Sequence, residues 1–144
     1  MATVDWTPFD PNMPAGIYLA EVEKCEEKRS KNGDLMFAVK LRSVDFGRDL
    51  CMDWYMLEGP ARNMGTGKLK ALGFTGTEPS IDPVDLLGRR CFVNVAPSTY
   101  RSPKTGEESV SMKPTKCDGA SLGYWPESAP PADVRKPDQG EVPF

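Results

Sequence analysis

The sequence predicts an all-β domain with one short helix, in the order β-β-β-α-β-β, followed by a disordered tail. Apolar and polar residues alternate with a period of two in the clearest segments, which is the pattern of half-buried strands. Turn residues separate these segments. From Gly119 onward, five prolines and four acids leave too little apolar surface to offset the entropy of ordering. We therefore expect an irregular N-terminal arm over residues 1–15, a domain over residues 16–118 and a tail over residues 119–144.

A meander of three strands is expected first. Strand one begins at Gly16 and alternates through Tyr18, Ala20 and Val22. Lys31-Asn32-Gly33-Asp34 has the composition of a tight hairpin turn, and the residues that follow it, 35–42, alternate most clearly of all. A turn at Gly47-Arg48-Asp49 leads into a third strand over residues 50–57.

A helix and a closing hairpin follow. Residues 61–72 have the spacing of a short helix that ends at Gly73, and residues 82–88 form one helical turn at most. Strand four covers residues 89–96, a polar and basic hairpin loop covers 97–108, and strand five covers 109–117, where Pro114 indicates an edge. This order matches a five-stranded Greek-key barrel of the oligonucleotide/oligosaccharide-binding (OB) type. A five-stranded open sandwich is the alternative.

The composition argues against an enzyme, a cofactor and a metal site. The chain has no histidine, which is the commonest general base and transition-metal ligand. Its cysteines, Cys25, Cys51, Cys91 and Cys117, lack the close pairs of a zinc site and are interpreted as reduced thiols. No nucleophile–base pair stands out, so we expect no catalytic residues.

The charge and hydropathy patterns restrict the partners. The formal net charge is −3, so binding of a polyanion would require a local basic patch. No apolar run has the length of a membrane span or the form of a signal peptide. We therefore expect a soluble, intracellular protein that does not bind membranes.

Two short motifs look like a phosphate-binding loop and a set of metal ligands, but neither is interpreted as a functional site. Gly65-Thr66-Gly67-Lys68 lacks the earlier glycine and the following Ser or Thr of a phosphate-binding loop, and is interpreted as a loose helix start. Asp45, Asp49 and Asp53 straddle a turn, where acids are common, and are expected to be solvated.

Aromatic rings and basic residues are interleaved along the predicted strands and loops. Rings stack on unpaired bases and cations follow the phosphates, so this combination favours binding of a single-stranded nucleic acid. The candidate stacking residues are Trp54, Tyr55, Phe92 and Tyr100. The candidate phosphate contacts are Lys28, Arg29, Lys31, Lys40, Arg42, Arg90, Arg101 and Lys104. The alternatives are burial for the rings and an ordinary solvated sheet face for the lysines.

Four short sequence segments and the C-terminal tip carry a family resemblance. The segments are Pro14-Ala15-Gly16-Ile17-Tyr18, Glu26-Glu27-Lys28-Arg29-Ser30-Lys31-Asn32-Gly33, Leu72-Gly73-Phe74 and Asp85-Leu86-Leu87-Gly88-Arg89. The tip residues are Asp138, Glu141, Val142, Pro143 and Phe144. Over residues 14–118 and at this tip, the chain resembles the phage-type single-stranded DNA-binding proteins, which are small OB-fold proteins with a flexible acidic tail. It departs from them at Gln139 and Gly140, where the family usually has acids.

The resemblance implies binding of single-stranded DNA without sequence preference, and protection of the bound strand. It also implies that the tip recruits replication, recombination and repair proteins, with Phe144 offering its ring and its carboxylate to a pocket with a basic rim. For a phage-encoded protein it implies the host cell cytoplasm. An edge strand could also pair with a second copy to give a homodimer.

A protein-binding or structural role is the competing hypothesis. The same small barrel would then bind only protein, as an accessory subunit or a virion component, and the near-neutral charge favours this. This hypothesis predicts that Lys40, Arg90, Arg101 and Lys104 scatter over several faces. A third hypothesis, a small nuclease, needs a carboxylate or histidine constellation that the sequence does not offer.

Overall fold

A computed structural model describes residues 2–3, 14–115 and 123–136 of the chain, without the side chains of Tyr100 and Ser109. The elements are β1 (Gly16–Arg29), β2 (Leu35–Ser43), β3 (Arg48–Met56), α1 (Arg62–Ala71), a 3-10 turn (Pro83–Leu86), β4 (Arg90–Arg101), β5 (Glu108–Pro114) and β6 (Tyr124–Pro126). The predicted order β-β-β-α-β-β is confirmed, with one further short strand after it. No helix in this part of the chain is long and apolar enough to cross a membrane.

All the strands belong to one sheet with the order β3-β2-β1-β4-β5, and β6 pairs with β4 beside this path. The arrangement is OB-like, as predicted, and is not a sandwich of two sheets. Every neighbouring pair is antiparallel, so β3 and β5 both run in the direction of β1. These two strands end the path and form no ladder with each other. The sheet is therefore open along a seam between β3 and β5.

The core lies on one face of each strand, as the period of two predicts. The fully buried positions include Tyr18, Ala20, Val22, Phe37, Val39, Leu41, Cys91, Val93 and Val95. Leu69 and Leu72 add apolar groups from the helix region, and Leu86 adds one from the 3-10 turn. Burying a side chain such as Phe37 contributes roughly 1.5–3 kcal/mol, so each inward position of the alternating strands stabilises the fold.

Two of the sequence segments that carry the resemblance, residues 72–74 and 85–89, contact each other. The Arg89 guanidinium lies 3.9 Å from the centre of the Phe74 ring. It also donates a hydrogen bond to the Leu72 carbonyl oxygen at 3.3 Å. Gly73, between them, has a φ of 101°, which favours glycine and ends α1 as predicted. The loop after the helix is thereby fixed to the start of β4.

The β4–β5 hairpin is more regular than predicted. Its ladder runs from Val95 opposite Pro114 to Arg101 opposite Glu108, so residues 97–101 belong to a strand and only the residues between the two strands form the turn. The polar, proline-containing sequence suggested a loop, but ladder hydrogen bonds join backbone groups and do not require apolar side chains. The edge position predicted for Pro114 is confirmed, because β5 ends the path.

The predicted disordered tail is partly folded. Tyr124, Trp125 and Pro126 pair with Val93, Phe92 and Cys91 of β4. The Arg135 amide donates to the Ile17 carbonyl oxygen at 2.7 Å, next to a parallel bridge between Ile17 and Val134. The prediction that the chain has no structure from Gly119 onward is therefore wrong for residues 123–136. The buried ring of Tyr124 supplies apolar area that the average composition of the tail conceals.

Several predictions fall on residues outside the described part of the chain. They are the N-terminal arm, except for residues 2–3 and 14–15, the end of the domain at residues 116–118, and Cys117. The five tip residues, Asp138, Glu141, Val142, Pro143 and Phe144, also lie outside it.

Candidate nucleic-acid interface

Trp54 is the exposed aromatic residue of β3. Along this strand Cys51, Asp53 and Tyr55 are buried, whereas Met52 and Trp54 point to the outer face and are 41% and 46% exposed. The Trp54 amide donates a hydrogen bond to Asp53 Oδ1 at 2.8 Å. The sequence predicted that one ring of the Trp54–Tyr55 pair would be outside, and the structure shows that it is Trp54.

A groove lies beside Trp54, where the seam separates β3 from β5. Its volume is about 420 Å³. Its residues come from β2, β3 and β5: Lys40, Asp49, Leu50, Cys51, Met52, Trp54, Val110, Ser111, Met112 and Lys113. Val110 is 52% exposed, so the two strands each contribute exposed apolar side chains. The groove therefore combines apolar surface with two lysines in its lining.

The two lysines of the groove differ in their partners. Lys40 Nζ lies 3.3 Å from Asp49 Oδ2 and 3.8 Å from Glu23 Oε2, so its charge is offset by carboxylates. Lys113 is exposed on β5 and forms no ion pair with the acids of the described residues. It is therefore the better placed of the two to contact an anion.

The candidate cations of the first hairpin are held by weak surface pairs. Lys28 Nζ lies 3.7 Å from Glu26 Oε2, and Arg29 Nη1 lies 3.6 Å from Glu58 Oε1. Exposed pairs of this kind contribute about 0–1 kcal/mol, so a phosphate could replace the carboxylate at little cost. Lys31 is exposed in the turn and has no such pair with an acid of the described segments.

The remaining candidate cations lie on other parts of the sheet. Arg42 and Arg90 both pair with Glu21, at 3.8 and 3.0 Å. Arg101 pairs with Glu108 at the other end of β4, and Lys104 is exposed in the turn beyond. Arg90 and Arg101 are separated by the length of a 12-residue strand, about 36 Å of extended chain. The basic candidates therefore do not form a single patch.

Tyr55 does not belong to the interface. Its side chain is 0% exposed and lies in the core, where its hydroxyl is 3.2 Å from the Tyr124 hydroxyl. Burial raises the pKa of the Tyr55 phenol well above its usual range. The prediction of a stacking role is wrong because the strand alternation that exposes Trp54 necessarily buries its neighbour.

Phe92 also fails as a stacking residue. It points to the outer face of β4, as predicted, but is only 7% exposed. A second small apolar cluster covers it, formed with Ile17 and Val134 and bordered by Leu19 and Trp125. The folded part of the tail thus occupies the surface on which a base would have stacked. The side chain of Tyr100 lies outside the described part.

Asp53 is buried, although the sequence suggested a solvated acid. Its Oδ2 lies 2.8 Å from Lys68 Nζ and accepts a hydrogen bond from the Tyr124 hydroxyl at 2.7 Å. Lys68 Nζ also lies 5.7 Å from the centre of the Tyr55 ring. These four groups join β3, α1 and β6 in one polar network inside the core. A buried carboxylate paired in this way is structural and not a free metal ligand.

Among the residues that the structure describes, the thiols and acids show no reactive arrangement. Cys25, Cys51 and Cys91 are free cysteines in strands, as interpreted from the sequence. Burial raises the pKa of the Cys91 thiol to about 12 and, with the nearby Glu26, that of Cys25 to about 11, which keeps both protonated and weakly nucleophilic. Within residues 2–3, 14–115 and 123–136, no three His, Cys, Asp or Glu side chains are grouped to hold a metal ion.

The β5 side of the groove was not predicted. Met52 could have been found from the sequence, because it shares the outer face of β3 with Trp54. Val110 and Lys113 could not, because their role depends on how close β5 comes to β3, which no local pattern encodes.

The sequence matches no protein-family model and no curated protein.

Proposed function

We propose that this protein binds single-stranded DNA without sequence preference and protects the bound strand. The observation that carries the proposal is the exposed Trp54 ring beside the groove at the open seam of an OB-like sheet. A base stacked on an aromatic ring contributes about 1–3 kcal/mol, whatever its sequence. The proposal includes a cytoplasmic location and no catalytic activity.

The charge distribution limits the proposed affinity. Most candidate cations are paired with carboxylates, so only a few phosphates would be neutralised. For about four phosphates, log K is expected to fall by about 3 per tenfold increase in salt. Stacking on Trp54 would then supply much of the affinity that remains at physiological salt.

Titration of the full chain with a fluorescent poly-thymidine oligonucleotide tests the proposal directly. We expect binding at low salt, weaker binding at physiological salt, and weaker binding still to a duplex of equal length. The duplex is the control for a purely electrostatic attraction to phosphates. Absence of binding even at low salt would reject the proposal.

Substitution of Trp54 tests the stacking role. Trp54→Ala is expected to reduce affinity for the oligonucleotide by about 5- to 150-fold, which corresponds to the loss of ~1–3 kcal/mol of stacking. Trp54→Phe should retain most of the affinity. The matched control is Leu87→Ala, another large apolar side chain that is 47% exposed but does not line the groove. Equal affinity of Trp54→Ala and wild type would show that the ring does not stack.

Binding of a protein is the second candidate function. The pairing of most basic candidates with acids and their spread over β1, β2 and β4 favour it, because a DNA-binding face usually concentrates its cations. An exposed apolar groove is also a common feature of protein interfaces. If the titration shows no DNA affinity at low salt, this candidate takes precedence.

The residues after Lys136 are proposed to recruit partner proteins and not to hold DNA. Lys136 Nζ lies 3.6 Å from Asp45 Oδ2, so the last described residue is tied to the β2–β3 turn. A variant that ends at Lys136 is expected to bind the oligonucleotide as well as the full chain or slightly better, because two acids are removed. The same titration measures this, and a large loss of affinity would contradict it.

A further inference from the structure

We propose that the seam between β3 and β5 holds unpaired bases, with Trp54 on one wall and Val110 and Lys113 on the other. The inference rests on the proposed binding of single-stranded DNA and extends the site to β5. None of the twelve candidate residues from the sequence lies on this strand. Three independent properties of the seam support it: its exposed apolar groups, its width and its charge.

The exposed apolar groups are concentrated at the seam. In the described part of the chain, six large apolar side chains are well exposed: Met52, Trp54, Met64, Val84, Leu87 and Val110. Three of them, Met52, Trp54 and Val110, line this one groove. Apolar side chains gathered around one concave surface mark a binding site, whereas single exposed ones do not. The groove is therefore built for an occupant with apolar faces.

The width of the seam restricts that occupant. Cα atoms of β3 and β5 approach within 8 Å of each other. A peptide strand inserted between them and hydrogen-bonded to both would need its neighbours about 9.5 Å apart. A planar base is thinner than a strand and does not need this spacing of the two backbones. The backbone groups along the two strand edges can also serve the donors and acceptors on the rim of a base.

The charge at the groove suits a strand with phosphates. Lys40 is offset by Asp49, at 3.3 Å, which leaves Lys113 as the available cation. A phosphate next to a base in the seam could lie against Lys113 while the base contacts Val110 and Trp54. An exposed apolar ring beside a cation is the arrangement that single-strand binding requires.

A charge reversal at Lys113 tests the phosphate contact. In the full chain, Lys113→Glu is expected to reduce affinity for a poly-thymidine oligonucleotide at low salt by roughly tenfold, and to make the slope of log K against log salt shallower by about 0.7–1. The matched control is Lys70→Glu, an exposed lysine of α1 outside the groove. Its salt slope should equal that of the wild type.

A second variant tests the contact with the base itself. Wild type should bind poly-thymidine more tightly than an abasic oligonucleotide of equal length. Val110→Asp is expected to reduce this ratio, because a carboxylate on the groove wall disfavours an apolar ring face. Val84→Asp is the matched control, since Val84 is 65% exposed in the 3-10 turn and should leave the ratio unchanged. Thermal unfolding of each variant confirms that it is folded.

The outcomes separate the two proposals. If wild type binds no oligonucleotide, the proposed function fails and the seam inference fails with it. If wild type binds and Trp54→Ala weakens binding, but Lys113→Glu and Val110→Asp behave as wild type, the strand runs only over β2 and β3. That result would overturn the seam inference and leave single-strand binding intact.

Discussion

Replacement of Lys68 by methionine is expected to destabilise the protein by about 3–5 kcal/mol. The side chains of Lys68 and Asp53 are only 11% and 12% exposed, and their charged atoms are 2.8 Å apart. Removal of Lys68 leaves the Asp53 charge buried with hydrogen bonds from Tyr124 and Trp54 but without its counter-ion, and breaking a buried ion pair in this way costs about that much. The methionine fills a similar volume, so the expected effect comes from the charge and not from a cavity.

Chemical denaturation at neutral pH measures this effect. Lys70→Met, on the exposed side of the same helix, is the control and should change the free energy of unfolding by less than about 0.5 kcal/mol. The double variant Lys68→Met with Asp53→Asn should recover part of the loss, because the neutral amide can still accept from Tyr124. A loss below about 1 kcal/mol in Lys68→Met would mean that water reaches the Asp53 carboxylate.

The same network positions the candidate interface. Asp53 uses Oδ2 for Lys68 and Tyr124, and Oδ1 for the Trp54 amide. One carboxylate thus joins the core, the folded part of the tail and the backbone of the exposed tryptophan. The backbone at Trp54 is therefore held from inside the sheet, which reduces the ordering that this part of a stacking platform must undergo on binding.

The order of elements could be predicted because its signals are local. Alternation along β2 and a turn with Gly33 at a φ of 84° are properties of short segments. The choice between Trp54 and Tyr55 was not local. Alternation requires one ring inside, and in the structure it is Tyr55, which contacts Tyr124 and Lys68 from distant parts of the sequence. The tertiary contacts of Tyr55, and not the alternation in the sequence, therefore show that Trp54 is the ring of this pair that can stack on a base.

The folded tail and the seam were beyond sequence reasoning for related reasons. The composition after Gly119 averages a few apolar residues over many polar ones, yet Tyr124 and Val134 reach specific sites on β3, β4 and β1. The seam depends on the distance between the edges of β3 and β5, and the sequence of a strand does not reveal the distance to a neighbour with which it does not pair. The burial of Phe92 and the position of β5 beside the groove both result from contacts between residues that are distant in sequence.

Gly65→Ala is expected to destabilise the protein by about 2 kcal/mol, although alanine is the better helix former. The sequence suggests that glycine only weakens α1. In the structure, a Cβ on Gly65 would lie 1.9 Å from the Met56 carbonyl oxygen and 2.7 Å from its nitrogen. Backbone atoms of a paired strand cannot move aside as a side chain can, so the helix must shift. That cost, at the upper end of the usual range for overpacking, exceeds the ~1 kcal/mol gained in helix propensity.

A second alanine in the same helix isolates the clash. Asn63 is exposed, so Asn63→Ala should stabilise the protein by a few tenths of a kcal/mol through propensity alone. Two substitutions to alanine in one helix are thus expected to have opposite signs in denaturant unfolding. Equal, small effects would show that α1 does not press on β3. Because Met56 lies two residues from Trp54, a shifted helix would also displace the strand that carries the exposed ring. Gly65→Ala should therefore weaken oligonucleotide binding in the fraction that remains folded, whereas Asn63→Ala should not.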